Sequence, residues 1–297
     1  MRIIETIAEL RAAVADWRRL HPGGTVGFVP TMGYLHEGHA SLIRRSSAEN
    51  GLTVVSVFVN PLQFGPNEDF DRYPRDPERD RQVSEAAGAD LLFMPSVNEM
   101  YPRRTATRVQ ISGLTDRLCG ASRPGHFDGV GTVVAKLLHI VMPDNAYFGM
   151  KDAQQVAVIE RMVFDLNFPV RIVPCETVRE PDGLAMSSRN VYLNEEERRQ
   201  AVILYETLKL AEEKFAEPGM TPRKLKALMH EHIRRAPLAV TDYAEVLTWP
   251  DLEPPADMPF DRMPAGSRFI AALAVKFGRT RLIDNRFLAR ATAAGKE

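Results

Sequence analysis

Residues 52–59, Leu-Thr-Val-Val-Ser-Val-Phe-Val, form a nearly unbroken apolar run rich in β-branched side chains. A strand with one wet face alternates apolar and polar residues. A strand covered on both faces does not, so this run points to a parallel sheet with helices above and below. Parallel neighbours need a crossover of about a dozen residues or more, and one stands immediately upstream. The short apolar run 26–29 is followed by Pro30, which has no N–H for a ladder and stops the strand. Gly33 permits a reversal. A helical pattern carrying Leu42 and Ile43 then spans 36–50, with Gly51 placed as a C′ glycine. Further strands are expected at 89–94, 145–148 and 170–174. Helices are expected at 5–19, 75–88, 130–141 and, through a second strand–glycine–helix junction, 149–165. The fold class is therefore α/β.

The character of the chain changes after about residue 190. A long charged helix at 195–215 and another at 221–235 precede strands at 240–247, 267–277 and 280–285, with a proline-rich loop at 250–266. We read a nucleotide-binding domain over residues 1–178 and a smaller α+β domain over 179–297, with the loop 183–190 at the hinge. With 297 residues there is ample room for two cores. A net charge of −1 gives no electrostatic footprint for nucleic acid or an anionic membrane. No apolar stretch is long enough to span a bilayer, and MRIIETIAEL does not read as a signal peptide. Cys119 and Cys175 show neither metal nor redox spacing. They fit structural thiols in a reducing cytoplasm.

Four places carry chemistry. His36-Glu37-Gly38-His39 puts two imidazoles in the first turn of a helix, where free N–H groups and the helix dipole favour phosphate. The same pair is compatible with a plain helix cap or half of a metal site. Gln63 lies in an Asn-Pro/Gly-Pro loop at the C-terminal end of a parallel strand, where open α/β sheets bind ligands; it equally fits a residue that ties the loop to itself. Lys151 sits in what reads as a first helical turn, against the dipole preference for anions, with Gln155 four residues on. A phosphate neighbour or a solvated surface lysine would each account for it. Met186-Ser187-Ser188-Arg189-Asn190 offers two hydroxyls and a guanidinium, which chelates phosphate with paired bonds; a serine capping pair with a surface arginine is the alternative. His126 and Asp128, beside a glycine-rich helix start, read as caps.

Together these motifs are specific. VPTMGYLHEGH (29–39), VFVNPLQFGPNED (57–69), YPR (73–75), GHFDGV (125–130), FGMKDAQQ (148–155) and MSSRN (186–190) occur in the order of the pantoate–β-alanine ligase (pantothenate synthetase) family, which the chain resembles. The His-x-Gly-His element alone would place it only in the wider nucleotidyltransferase superfamily. The resemblance implies a Rossmann-like N-terminal domain, a C-terminal lid domain and a homodimer in the cytoplasm. It implies ATP-dependent condensation of pantoate with β-alanine through a pantoyl adenylate, releasing AMP and diphosphate, within pantothenate and coenzyme A biosynthesis. By motif match, Met32, Gly33, Tyr34, Leu35, His36, Glu37, Gly38, His39, Gly149, Met150, Lys151, Asp152, Val178, Met186, Ser187, Ser188 and Arg189 would contact ATP. His39 would be the proton donor, with His36, Lys151, Ser187, Ser188 and Arg189 beside it in catalysis. Gln63 and Gln155 would hold pantoate, and Gln63 also β-alanine. Mg²⁺ would ride mainly on the ATP phosphates, with no dedicated protein site. Met150, Ala153 and Gly131 depart from the family's usual residues without removing a group this chemistry needs.

The chemistry agrees with the residue types. A carboxylate is ionised at neutral pH, with a pKa near 4, and needs no base before attacking phosphorus. Two neutral glutamines would hold pantoate without lowering that nucleophilicity. A transferase joining AMP to a phosphate acceptor would want a basic acceptor pocket instead. A non-catalytic nucleotide-binding scaffold would have no need of Lys151, both histidines and Arg189.

Overall fold

The computed structural model describes residues 1–66, 68 and 70–288. Asn67 and Asp69 of the loop motif, and 289–297 of the expected second domain, lie outside the described residues. The chain opens with β1 (Arg2–Ile4) and α1 (Ile7–Leu20), whose first turn is capped by Thr6 accepting from the Glu9 N–H. β2 (Val26–Thr31), α2 (Glu37–Glu49) and β3 (Leu52–Val57) form the anticipated β–α–β unit. Pro30 does not stop β2, which runs on to Thr31 opposite Val57; pairing with β5 reaches only Phe28, so a missing N–H is tolerated at that end. α3 (Pro77–Ala86) starts at Asp76, which caps the Arg79 N–H, and leads to β4 (Leu91–Phe93). Two short helices, α4 (Val97–Met100) and α5 (Leu118–Ser122), interrupt the irregular stretch before α6 (His126–Val141). β5 (Asn145–Gly149), a 3₁₀ turn (Met150–Asp152), α7 (Ala153–Asp165) and β6 (Arg171–Cys175) complete the sheet.

The six strands are parallel in the order β1-β4-β3-β2-β5-β6. Val54 and Val55 of β3 are fully buried, as a run without alternation requires. Val29, Leu35, Ile43, Val55, Leu92, Tyr147 and Val173 share one core between the sheet and α2. Chain order runs outward from β2 through β3 and β4, with β1 added at that edge, and from β5 to β6 in the other direction, so the sheet has a switch point between β2 and β5. In such sheets the crevice beyond the carboxyl ends at that point binds ligands. Both strand–glycine–helix junctions of the sequence open there. The sequence does not reveal β1, because three residues are too few to show a period; it is recruited by pairing with β4.

After β6 come α8 (Glu195–Ala201), α9 (Ile203–Phe215) and α10 (Pro222–Ile233), then the antiparallel strands β7 (Ala239–Thr248), β8 (Phe269–Phe277) and β9 (Thr280–Leu288). The single helix expected at 195–215 is two. Ala201 and Ile203 are both buried in one core with Leu204, yet two residues apart on a continuous helix lie about 200° apart. The boundary falls at Val202, which keeps helical dihedrals. Gly51 has no left-handed φ; a Cβ there would sit 2.9 Å from the Trp17 indole, so close approach explains the glycine.

The contacts divide the chain into two units, and the division is not a single cut. The first is Met1–Thr115, Arg123–Val178 and Met186–Ser188; the second is Asp116–Ser122, Arg179–Ala185 and the chain from Arg189 on. In the second unit α9 and α10 cover the sheet around Leu208, Leu225, Ile233, Leu273, Val275 and Phe277. Arg179 forks onto the Asp284 carboxylate with bonds of 2.7 and 3.0 Å, a geometry lysine cannot reproduce.

Candidate active site

The β2–α2 junction is built around its histidines. His36 is the N-cap of α2, with extended backbone, and its Nδ1 accepts the Gly38 N–H at 3.1 Å. His39, at N3, returns the arrangement: its Nδ1 accepts the His36 N–H at 3.3 Å. This is a capping box made of imidazoles in place of hydroxyl and carboxylate. A ring nitrogen that accepts an N–H carries no proton, so each neutral ring holds its hydrogen on Nε2. The rings lie 4.1 Å apart at 39°. Burial, and then the Lys151 and Arg79 charges, lower the His36 pKa to about 4. Burial, His36 and Lys151 hold the fully buried His39 well below the usual value. Both rings are therefore neutral hydrogen-bond donors at pH 7.

Leading into this cap, Gly33 (φ +88) and Tyr34 (φ +52) are both left-handed. Tyrosine rarely adopts that conformation, and α3 holds it. The Asp80 carboxylate accepts the Tyr34 N–H at 3.1 Å and the Leu35 N–H at 2.7 Å. Arg79 Nε donates to the Leu35 carbonyl at 2.9 Å, and its guanidinium lies 4.9 Å over the Tyr34 ring. Sequence reasoning places Arg79 and Asp80 on a helix without giving them this task. Glu37 pairs with Arg44 on the exposed side of α2.

At the β5–α7 junction, Gly149 ends the strand and neither Gly149 nor Asp152 supplies a side-chain cap. Lys151 is not in the first turn of an α-helix: the 3₁₀ turn Met150–Asp152 precedes α7, which starts at Ala153. The misfit with the helix dipole disappears, and so does the four-residue helical spacing to Gln155, which sits half-buried in α7's first turn. Lys151 Nζ lies 3.5 Å from Asp152, and its charge acts on both His36 and His39.

Gln63 is buried, its Oε1 accepting from Asn60 at 3.1 Å and its Nε2 directed at Met32 Sδ at 2.9 Å. The loop tie and the ligand reading are thus compatible in one residue, since the donor end faces the 32–36 loop. Asn60 Nδ2 also donates to the Gly129 carbonyl. A Cβ on Gly129 would fall 2.2 Å from the Leu62 carbonyl oxygen, so the glycine lets this loop lie on α6. His126 and Asp128 are not caps: the N-cap of α6 is Gly125, without a side-chain bond. His126 instead places Nδ1 2.8 Å from the Gln63 carbonyl oxygen and Nε2 3.1 Å from Arg123, which pairs with Glu68.

Within the first unit, Val178 accepts the Met186 N–H at 3.0 Å, and Ser188 Oγ lies 3.3 Å from Tyr73 Oη. A Cβ on Gly38 would lie 3.9 Å from that of Met186, so 186–188 comes to the start of α2. Arg189 belongs to the second unit. Among the described residues no group of three His, Cys, Asp or Glu side chains is placed to hold a metal ion, and no helix is long and apolar enough to cross a membrane.

Comparison with known proteins agrees with these motifs. A sequence model of the family described as "Pantoate-beta-alanine ligase" matches residues 2–287. A pantothenate synthetase of Acetivibrio thermocellus is 55% identical over 285 residues, 96% of this chain and 98% of that protein. One of Geobacillus kaustophilus is 53% identical, covering 96% and 92%. Among solved structures, the pantothenate synthetase of Thermus thermophilus superposes with TM-score 0.87 at 51% identity, covering 96% of this chain and 99% of that one. The pantoate–β-alanine ligase of Francisella tularensis, complexed with beta-gamma ATP and β-alanine, gives 0.77 at 34% identity, covering 98% and 99%.

Proposed function

The chain belongs to the pantoate–β-alanine ligase family, and on that premise we propose how its first unit carries out the ATP-dependent joining of pantoate and β-alanine. The carboxylate oxygen of pantoate attacks the α-phosphorus of ATP, the bond to the β-phosphate oxygen breaks, and diphosphate leaves. The amine of β-alanine then attacks the acyl carbon of the pantoyl adenylate, loses a proton and expels AMP. Neither step needs a nucleophilic side chain. Both need positioning and donors aimed at developing charge.

The observation that carries this reading is the imidazole capping box. It consumes both Nδ1 atoms and leaves two neutral Nε2–H donors at a helix N-terminus beside Lys151. In the proposal these, with Lys151, stabilise the five-coordinate phosphorus and the leaving diphosphate; His39 donates to the reacting phosphate. Residues 32–39 and 149–152, with Val178 and 186–188, hold ATP within the first unit. Gln63 and Gln155 hold pantoate, and Gln63 meets the incoming amine. In the proposal a Mg²⁺ would arrive on the nucleotide, held mainly by its phosphates, and would offset their charge. The proposal includes 1–178 as the ATP and pantoate domain, 179–297 as a lid, a homodimer and a cytoplasmic location. Light scattering tests the dimer, and protection of 183–190 from protease on adding ATP tests the lid.

The deciding experiment is ATP–diphosphate exchange with pantoate present and β-alanine absent. Pantoate-dependent exchange establishes a reversible adenylate. No exchange, but AMP release once β-alanine is added, would mean that diphosphate leaves only after the amine binds; no AMP under any of these conditions would overturn the reading of the substrate.

A further inference from the structure

We infer that Asp80 and Arg79 are positioning residues for the adenylation step, clamping the 33–35 loop so that His36 and His39 are aimed at the phosphates. The inference rests on the reading above that those two rings serve adenylation. Asp80 is only 2% exposed, and the two N–H groups it accepts come from consecutive residues, the second of them directly before His36. The loop cannot relax away from it. A Cβ on Gly33 would sit 2.9 Å from Asp80 Oδ2, and Tyr34 holds a left-handed φ that a free loop would abandon.

A buried carboxylate is costly unless its oxygens are satisfied. Here burial pushes the Asp80 carboxyl up while the Leu35 and Tyr34 N–H bonds pull it down. Arg79 does not neutralise it by direct pairing. Its Nε is committed to the Leu35 carbonyl and its plane to the Tyr34 ring. The peptide between Tyr34 and Leu35 and the carbonyl of Leu35 are thus fixed from opposite polar ends by adjacent residues of one helix. The next atoms along the chain are the His36 N–H, which His39 captures.

The test separates the half-reactions on the full chain by single-turnover kinetics. Adenylation is read from ATP plus pantoate, aminolysis from preformed pantoyl adenylate plus β-alanine. In Asp80→Asn the amide oxygen still accepts one N–H, but its nitrogen turns hydrogens toward the other. Displacement of reacting groups by about an ångström costs up to about 10²-fold. We expect adenylation to fall roughly 30–100-fold and aminolysis to change less than about 3-fold. Arg79→Ala should lower adenylation about 10-fold with the same selectivity. ¹⁵N spectra of the imidazoles should show His36 losing its pure Nε2–H tautomer in Asp80→Asn. Equal losses in both half-reactions, or no loss in either, would make the pair a structural anchor and overturn the inference. If Asp80→Asn does not fold, Arg79→Ala decides by the same criteria. His39→Ala serves as the control. Full adenylation in that variant would overturn the site reading itself, whereas its loss alongside intact Asp80→Asn and Arg79→Ala would overturn only this inference.

Discussion

The two strand–helix junctions at the switch point of the sheet look alike in sequence and differ in construction. At β2–α2 the chain satisfies its own helix start: two imidazoles take two of the free N–H groups, and α3 fixes the loop before them. At β5–α7 the start has no side-chain cap, and a 3₁₀ turn holding Lys151 precedes it. A capped terminus has little left to offer an anion through its amides, so its chemistry moves to the side chains that cap it. An uncapped one keeps its N–H groups and dipole for the ligand. One junction is preorganised through side chains and the other through backbone and a charge on a flexible stem.

The largest effects should fall on turnover, and stability should tell the junctions apart. Lys151→Ala and His39→Ala are each expected to lower kcat by roughly 10²–10³. Lys151→Ala should leave the midpoint of denaturant unfolding unchanged, since it removes no cap. His39→Ala also removes half of the capping box and should lose about 0.5–2 kcal/mol. Equal stabilities in urea titrations would erase the distinction between the junctions, and near-native kcat in both would sink the assignment of the site.

Acid should act on the first junction selectively. The folded-state pKa of His36 is lowered to about 4 from 6.5. The unfolded chain therefore binds more protons between those values, and stability rises with pH across that window. The contribution is fully present above about pH 6.5 and lost as pH falls through about 4; it amounts to at most about 3 kcal/mol. His126 is lowered to about 4 as well, so the diagnostic is a difference. His36→Asn retains an N-cap oxygen but does not titrate. Its stability should fall less steeply from pH 7 to pH 4.5 than that of the parent chain, and parallel curves would remove His36 from the acid response.

What the sequence made legible follows from the range of the interactions involved. β3, α2 and the two histidines could be read because their signals are local: an apolar run and a period of 3.6 in 36–50. The antiparallel strands β7, β8 and β9 announced themselves the same way. Pro30 misleads, because β2 continues through it to Thr31 in register with β3. The task of Asp80 could not be read, because its partners are 45 and 46 residues away and nothing in Pro-Glu-Arg-Asp marks a carboxylate that will accept from another loop. The sequence cannot separate the 3₁₀ turn holding Lys151 from a first α-turn, because 3₁₀ turns are common at helix termini. β1 exists only because β4 offers it an edge.

The smallest expected effect separates the junctions through glycine. A Cβ on Gly38 would lie 2.8 Å from His36 Cε1, whereas one on Gly149 meets nothing within 4 Å. Neither glycine has a left-handed φ, so sterics and not strain decide. Gly38→Ala must push the His36 ring off the position set by its own Nδ1 bond, which should weaken the cap by up to about 1 kcal/mol. Gly149→Ala keeps every contact of the unliganded chain and slightly restricts the unfolded one, so its stability should stay within about 0.5 kcal/mol or rise. Because Gly149 belongs to the proposed ATP contacts, any loss in that variant should appear in KM for ATP with kcat preserved, the mark of lost uniform binding. Gly38→Ala should lower kcat, since it moves the ring that the proposal assigns to the leaving diphosphate. A kcat loss in Gly149→Ala equal to that in Gly38→Ala would mean that both helix starts are equally rigid in the transition state, and that the open junction is organised by ATP as firmly as the other is by its histidines.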